Sequence, residues 1–302
     1  MHRRGGFHNG SHVVAYQAGE RGNQVIKKLL EDSNPVMVAR YGETELRTIS
    51  SVLSRGSPRE LLTNLKDLHK SSGFFPVRTE LLPQFVEVYA EAAREIDCLA
   101  IWNFENGRWE MEERMFRDYS PNAALVSIRS LESWLFPDPW TYSLRGKRVL
   151  VVHPFEESVR QQYEKRIHLF EDERVLPQFE TLLTLRAVQT IAGNPAGFDT
   201  WFDALDAMCS DIKGMDFDVA LIGAGAYGMP LAAYVKKLGK KAVHMGGVTQ
   251  ILFGIIGRRW EKPIPGGYPP LTRFFNEYWT RPLPQETPSN FKAVDGGGYS
   301  YW

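Results

Sequence analysis

Arg40, Gly42, Glu43 and Glu45 fall within the eight residues ARYGETEL, a grouping suited to holding a phosphate and a divalent ion together. A guanidinium binds phosphate oxygens through two parallel hydrogen bonds. Hard cations take oxygen ligands, and a magnesium-type site commonly shares one or two carboxylates with substrate phosphates. A second stretch, LIGAGAYG, places Gly223, Gly225 and Gly228 in G-x-G-x-x-G spacing, with Ala226 and Tyr227 between the last two. Such a turn lets the backbone approach a ligand closely and aims free N–H groups at an anion. A diphosphate-bearing ligand suits both stretches.

Further along, GKRVLVVHPF ends an apolar run in His153, and KAVHMGG ends another in His244, Gly246 and Gly247. Histidine at a strand end can donate to a phosphate or exchange a proton near neutral pH. Paired glycines suggest close backbone approach to a neighbour. Arg258, Arg259 and Trp260 follow the apolar stretch ILFGII, a candidate clamp on an anionic or planar group.

Six short apolar runs are expected to form the strands that position these residues: 36–39, 98–102, 124–128, 148–152, 217–222 and 242–245. Between them the apolar spacing turns helical. Leu46, Ile49 and Leu53 mark one helix, Val159, Tyr163 and Ile167 a second, and Leu231, Val235 and Leu238 a third. Pro230 near its start, Gly239 past its end, and Lys236, Lys237 and Lys240 near its C-terminus bound the third helix. Alternating strands and helices predict an α/β fold, a Rossmann-like three-layer α/β/α arrangement on a mostly parallel sheet. In open sheets of this kind ligands bind at the carboxyl ends of the strands. Glu43 and Glu45, in a first helical turn just past a strand, are expected at that edge.

The 302 residues carry 36 basic and 36 acidic side chains in no like-charged block, which argues against a nucleic-acid partner. Cys98 and Cys209 are too few for a disulfide framework or a structural zinc site, in keeping with a cytoplasmic location. The opening MHRRGGFHNG lacks the apolar stretch of a secretory signal. The longest uncharged run, 219–235, is broken by Gly223, Gly225, Gly228 and Pro230 and reads as buried strand, turn and helix rather than a membrane span. The expected organisation is an N-terminal arm (1–24), one Rossmann-like domain (25–262) with halves 25–145 and 146–262 joined near FPDPWTYSLRG, and a strap rich in proline, glycine and aromatics (263–302).

ARYGETEL is similar to the R-x-G-D-x-E stretch of the GT-D type of bacterial glycosyltransferases, and VALIGAGAYGMPLAAYVKKLGKKAVHMGG to that family's glycine turn, helix and strand. VLVVHPF, the PDPW stretch and HMGGVTQILFGIIGRRW resemble a branch associated with capsule and O-antigen loci. The resemblance spans about 35–260. It implies a transferase that moves a sugar from a nucleotide-sugar donor to a glycan or lipid-linked acceptor in surface polysaccharide assembly, with no transmembrane segment and a place at the cytoplasmic membrane face. Arg40, Gly42, the Gly223–Gly228 turn, His244, Gly246, Gly247, Arg258 and Arg259 would bind the donor. Glu43, Glu45 and His153 would act in catalysis. Manganese or magnesium would sit on Glu43, in the place of the family's aspartate, and on Glu45.

Two other readings compete. An NAD(P)-dependent oxidoreductase would use the glycine fingerprint, but the strand after it ends in His244 where a ribose-binding acid is expected. A non-catalytic nucleotide-binding or scaffold protein of a glycan-assembly complex would need none of the acid chemistry.

Overall fold

A computed structural model describes residues 16–102, 108–263, 270–294 and 300–302. Most of the expected N-terminal arm, with its charged opening, and parts of the expected strap lie outside these residues. The described residues open with helix α1 (Glu20–Glu31) and strand β1 (Val36–Ala39), followed by α2 (Glu43–Leu53), α3 (Pro58–Ser72) and α4 (Leu82–Ala93). Next come β2 (Cys98–Ile101), α5 (Arg108–Tyr119), β3 (Ala124–Ser127), β4 (Arg148–His153) and α6 (Glu156–Glu164). The order closes with β5 (Thr181–Arg186), α7 (Trp201–Lys213), β6 (Val219–Ile222), α8 (Gly228–Lys237), β7 (Lys241–His244), α9 (Thr249–Leu252) and α10 (Phe291–Val294).

Among the described residues the seven strands join one parallel sheet in the order β3-β2-β1-β7-β6-β4-β5. The strand not expected from sequence is β5, TLLTLR. It lies at the sheet's edge with its end residues exposed, so it lacks the unbroken apolar run of a central parallel strand. The other six lie within two residues of their expected bounds.

Alternate strand residues feed two cores. Met37, Leu99, Leu150, Ala220 and Ala242 pack beneath α2, α3, α4, α7 and α8. Val38, Cys98, Val151, Leu221 and Val243 pack beneath α1, α6 and the C-terminal segment, which contributes Leu271, Trp279 and Trp302. The result is the three-layer arrangement. The strand residues are apolar on both faces because helices or the C-terminal segment cover both. One helical expectation fails in part. Val159 is buried and Tyr163 packs against the core, but α6 ends at Glu164, so Ile167 falls in a tighter turn beyond it and is 51% exposed. No helix among the described residues is long and apolar enough to cross a membrane.

The stretch 136–146 packs closely against α1. Asn23 accepts from the Trp140 N–H and donates to the Asp138 carbonyl, while Lys27 pairs with the Asp138 carboxylate at 2.6 Å. β1 pairs with β7, so the sheet runs unbroken between residues from the two expected halves.

The C-terminal segment is tied to the sheet by a buried carboxylate. Glu286, 5% exposed, accepts from the backbone N–H groups of Glu157 and Ser158 and from the Ser158 hydroxyl at the start of α6. An anion at a helix start satisfies donors that have no partner within the helix. Glu286→Ala should destabilise the protein by about 2 kcal/mol, because buried donors then lose their acceptor. Urea unfolding of the two proteins measures this; an unchanged midpoint refutes it.

Candidate active site

The connection after β1 leads toward the β3 edge of the sheet, whereas the connection after β4 leads toward β5. Loops at the carboxyl ends of the strands between them therefore part and leave a crevice. A cavity of about 370 Å³ occupies it, within the size range of small-ligand sites. Arg40, Gly42, Glu43 and Glu45 after β1 line it, as do His153 at the end of β4, Gly223 and Gly225 after β6, and His244, Gly246 and Gly247 around the end of β7. Arg259 completes the expected residues present. Two stretches about 180 residues apart in sequence thus meet over one cavity.

Ala226, Tyr227, Gly228 and Arg258 do not line it. A tight turn, Gly225–Tyr227, separates β6 from α8 and carries Ala226 and Tyr227 into the core beneath α8. There Tyr227 stacks on Trp201 and the Tyr89 hydroxyl donates to the Ala226 carbonyl at 2.7 Å. Arg258 is exposed, and its backbone N–H donates to the Trp302 carbonyl.

The glycines around the cavity serve chiefly to make room. A side chain at Gly42 would overlap the Glu45 carboxylate, one at Gly228 the His244 ring, and one at Gly247 the Tyr301 ring. A β-carbon on Gly246 would lie 2.8 Å from Arg40 Nη1, and the residue's φ of +65° also favours glycine. One on Gly223 would lie 2.7 Å from the His153 ring. The Gly223 N–H itself donates to the Val152 carbonyl at 2.9 Å, so it is part of the sheet and not a ligand donor.

Two arginines stand over aromatic rings instead of against carboxylates. The Arg40 guanidinium lies 4.5 Å from the centre of the Trp102 ring, which is held by its indole N–H donating to the Tyr41 carbonyl at 2.8 Å. Arg259 lies 4.7 Å from Tyr301 and 5.3 Å from Trp260. Cation–π contact holds a guanidinium in place while leaving its N–H fork open to a planar anion. Among the described residues neither arginine forms an ion pair, and the buried Nε atom of each lacks a hydrogen-bond partner. Burial pulls the Arg40 pKa down, and the nearby Glu45 carboxylate pushes it back up.

Glu45, 5% exposed, occupies the first turn of α2. A polar relay fixes it: Thr44 Oγ1 donates to its Oε2 at 2.9 Å, and Ser72 Oγ lies 2.6 Å from Thr44 Oγ1. Glu43, two residues earlier, is exposed at the cavity's edge. Among the described residues no group of three acidic, histidine or cysteine side chains forms a metal cage. Glu43 and Glu45 both line the cavity, and a magnesium- or manganese-type ion held there would draw on these two carboxylates with substrate phosphate completing its shell.

Both histidines are buried and neutral. Burial pushes His153 down to about 3, and burial together with the Arg40 charge pushes His244 down to about 3. His153 Nδ1 accepts from the Phe155 N–H at 3.0 Å, which leaves its proton on Nε2 as a donor. His244 Nδ1 lies 3.3 Å from the Ile222 carbonyl and carries the proton, leaving Nε2 as an acceptor. His153 therefore suits holding a phosphate better than accepting a proton.

Sequence reading missed several wall residues. Glu132 sits in SIRSLESWLF, a run of short turns after β3 with no period to mark a face. Thr44 and Ser72 look like ordinary helix-terminal residues until α2 and α3 pack side by side. Tyr301 and Trp302 arrive from the far end of the chain; the aromatic string YSYW was their only signal.

This is an open, all-parallel α/β protein with a basic, aromatic and acid-edged cavity at the switch of its sheet. No protein-family profile and no curated protein matches the sequence. Among solved structures, the chain is similar to a domain of unknown function 1792 described as having a distinct glycosyltransferase fold. That chain is 14% identical, with 90% of this chain and 92% of that chain covered at a TM-score of 0.44. It is also similar to a new glycosyltransferase (DUF1792) from Streptococcus sanguinis, 10% identical, with 90% and 96% covered at a TM-score of 0.45.

Proposed function

We propose that this chain is a transferase that moves a sugar from a nucleotide-sugar donor to a glycan or lipid-linked acceptor, working at the cytoplasmic face of a membrane in surface polysaccharide assembly. The observation that carries the reading is the pair Arg40 and Arg259, both standing on aromatic rings beside one cavity and neither in an ion pair among the described residues. A diphosphate in that cavity supplies two negative charges to set against the two guanidinium groups. The ARYGETEL resemblance points the same way.

In this reading Arg40 and Arg259 hold the diphosphate and offset the charge that builds on it as the bond to the sugar breaks. The His153 Nε2–H adds a neutral donor. Glu45, fixed by Thr44 and Ser72, sets its charge near Arg40, and Glu43 with Glu45 holds a divalent ion where the reaction uses one. Such an ion, when bound, supplies further charge stabilisation on the phosphates.

The test is thermal unfolding with UDP, GDP, UDP-glucose, GDP-mannose and NADH, each with and without manganese or magnesium. A ligand at 100 times its dissociation constant stabilises the fold by about 2.7 kcal/mol, raising the melting temperature of a chain this long by about 4 °C. A shift with NADH and none with the nucleotides replaces the transferase reading with an oxidoreductase. Glu45→Gln should abolish transfer while the protein stays folded; full function in that variant would favour a scaffold instead.

A further inference from the structure

Transfer to a hydroxyl acceptor needs a group to receive the hydroxyl proton, and the two histidines and Glu45 are poorly suited to it. The His153 Nδ1 lone pair is engaged by the Phe155 N–H, so its ring presents only a donor. His244 lines the cavity but is buried, with a ring that resists protonation until about pH 3, too weak a base for the task. Glu45 accepts from Thr44 and stands by Arg40, where it serves the diphosphate end of the cavity.

Glu132 differs from all of these. It is 7% exposed, lines the same cavity, and stands on the turn after β3, a strand that lies beyond β2 from the β1 that leads to Arg40. Its nearest cation, Arg129 Nη2, is 3.6 Å from Oε2, an ion pair beyond hydrogen-bond range that leaves the carboxylate oxygens able to accept. We infer that Glu132 is the catalytic base of this site, taking the proton of the acceptor hydroxyl as that oxygen attacks the sugar's anomeric carbon. The assignment rests on the transferase reading above. The new bond joins acceptor oxygen to anomeric carbon. The bond that breaks joins that carbon to the diphosphate oxygen, which leaves with the electron pair toward Arg40 and Arg259, and the proton ends on a Glu132 carboxylate oxygen.

Burial raises Glu132 to about 7, against the lowering effects of Arg129 on its own turn and Arg273 from the Leu271–Phe274 turn. A base is most effective with its pKa near the working pH. The carboxylate form grows as pH rises through 7, so activity should rise over the same interval.

The experiment measures cleavage of UDP-glucose, UDP-galactose, UDP-N-acetylglucosamine and GDP-mannose with water as acceptor, alongside calorimetric binding of UDP and GDP. Glu132→Gln should slow cleavage at least a hundredfold, within the range a general base contributes. Its nucleotide affinity should stay within twofold of wild type, and the rise in rate near pH 7 should vanish. Glu132→Asp should keep that rise at a reduced rate, which a purely structural role would not produce. Wild-type cleavage untouched by Glu132→Gln, or a surviving rise near pH 7 in that variant, overturns the assignment of Glu132 and leaves the transferase reading standing. Wild-type protein that binds neither nucleotide and cleaves no donor overturns both.

Discussion

Replacing Arg40 by lysine should weaken binding of UDP or GDP about a hundredfold while leaving the protein folded. Lysine keeps the positive charge beside Glu45 and over Trp102, so the fold loses little. What it loses is the planar fork. Two charge-assisted hydrogen bonds to phosphate contribute about 1.5 kcal/mol each at the low end, and about 2.8 kcal/mol is a factor of a hundred in affinity. Isothermal calorimetry on both proteins decides it. Affinity within threefold of wild type would mean that Arg40 contributes only charge, and the two-arginine account of the diphosphate would fail. Arg259→Lys offers an independent arm, because Arg259 reaches the cavity from a different loop and rests on different rings, Tyr301 and Trp260.

Acidification from pH 7 to pH 5 should cost the folded protein about 4 kcal/mol through two histidines alone. The sign follows from the direction of the shifts. His153 and His244 sit near 3 in the fold, against 6.5 for an exposed imidazole. Above pH 6.5 both are neutral whether folded or unfolded, and no difference arises. As pH falls below 6.5 the unfolded chain takes up protons that the fold refuses, so stability drops by about 1.36 kcal/mol per pH unit for each ring until about pH 3. At pH 5 each contributes about 2 kcal/mol of loss, together lowering the melting temperature by about 6 °C. Carboxylates elsewhere add their own acid dependence, so the measurement compares wild type with His153→Asn and His244→Asn. The asparagine carbonyl can accept from the Phe155 N–H, and its amide can donate to the Ile222 carbonyl, which retains the hydrogen bonds that hold each ring. Each substitution should remove about half of the excess slope. Unchanged slopes would show that the rings protonate within the fold.

Particular elements show how far the residues alone could be read. The third predicted helix is observed as α8, because a proline inside its first turn, a glycine with φ of +78° just past its end, and lysines in its last turn each act through local backbone physics. Lys236 even finds its partner there, Asp97 at 2.8 Å. β5 escaped because an edge strand need not be apolar throughout. Ile167 was assigned to a buried face because spacing says nothing about where a helix stops. The glycine turn lies between β6 and α8 as its spacing predicts, but spacing could not show that Gly228 accommodates His244 or that Gly223 bonds into the sheet, which depends on what packs against each glycine.

Period, turn chemistry and charge balance are properties of neighbours along the chain, so they suffice to determine a doubly covered α/β sheet with polar residues at its strand ends. Which of those ends share a cavity depends on strand order, and strand order depends on contacts between residues far apart in sequence. Only the folded sheet, by pairing β1 with β7, brings Arg40 against Gly246 and both beside Gly223. The same folding buries Glu132 and the two histidines and so decides their protonation, because the free energy of a charge is set by the water and dipoles around it and not by its place in the chain.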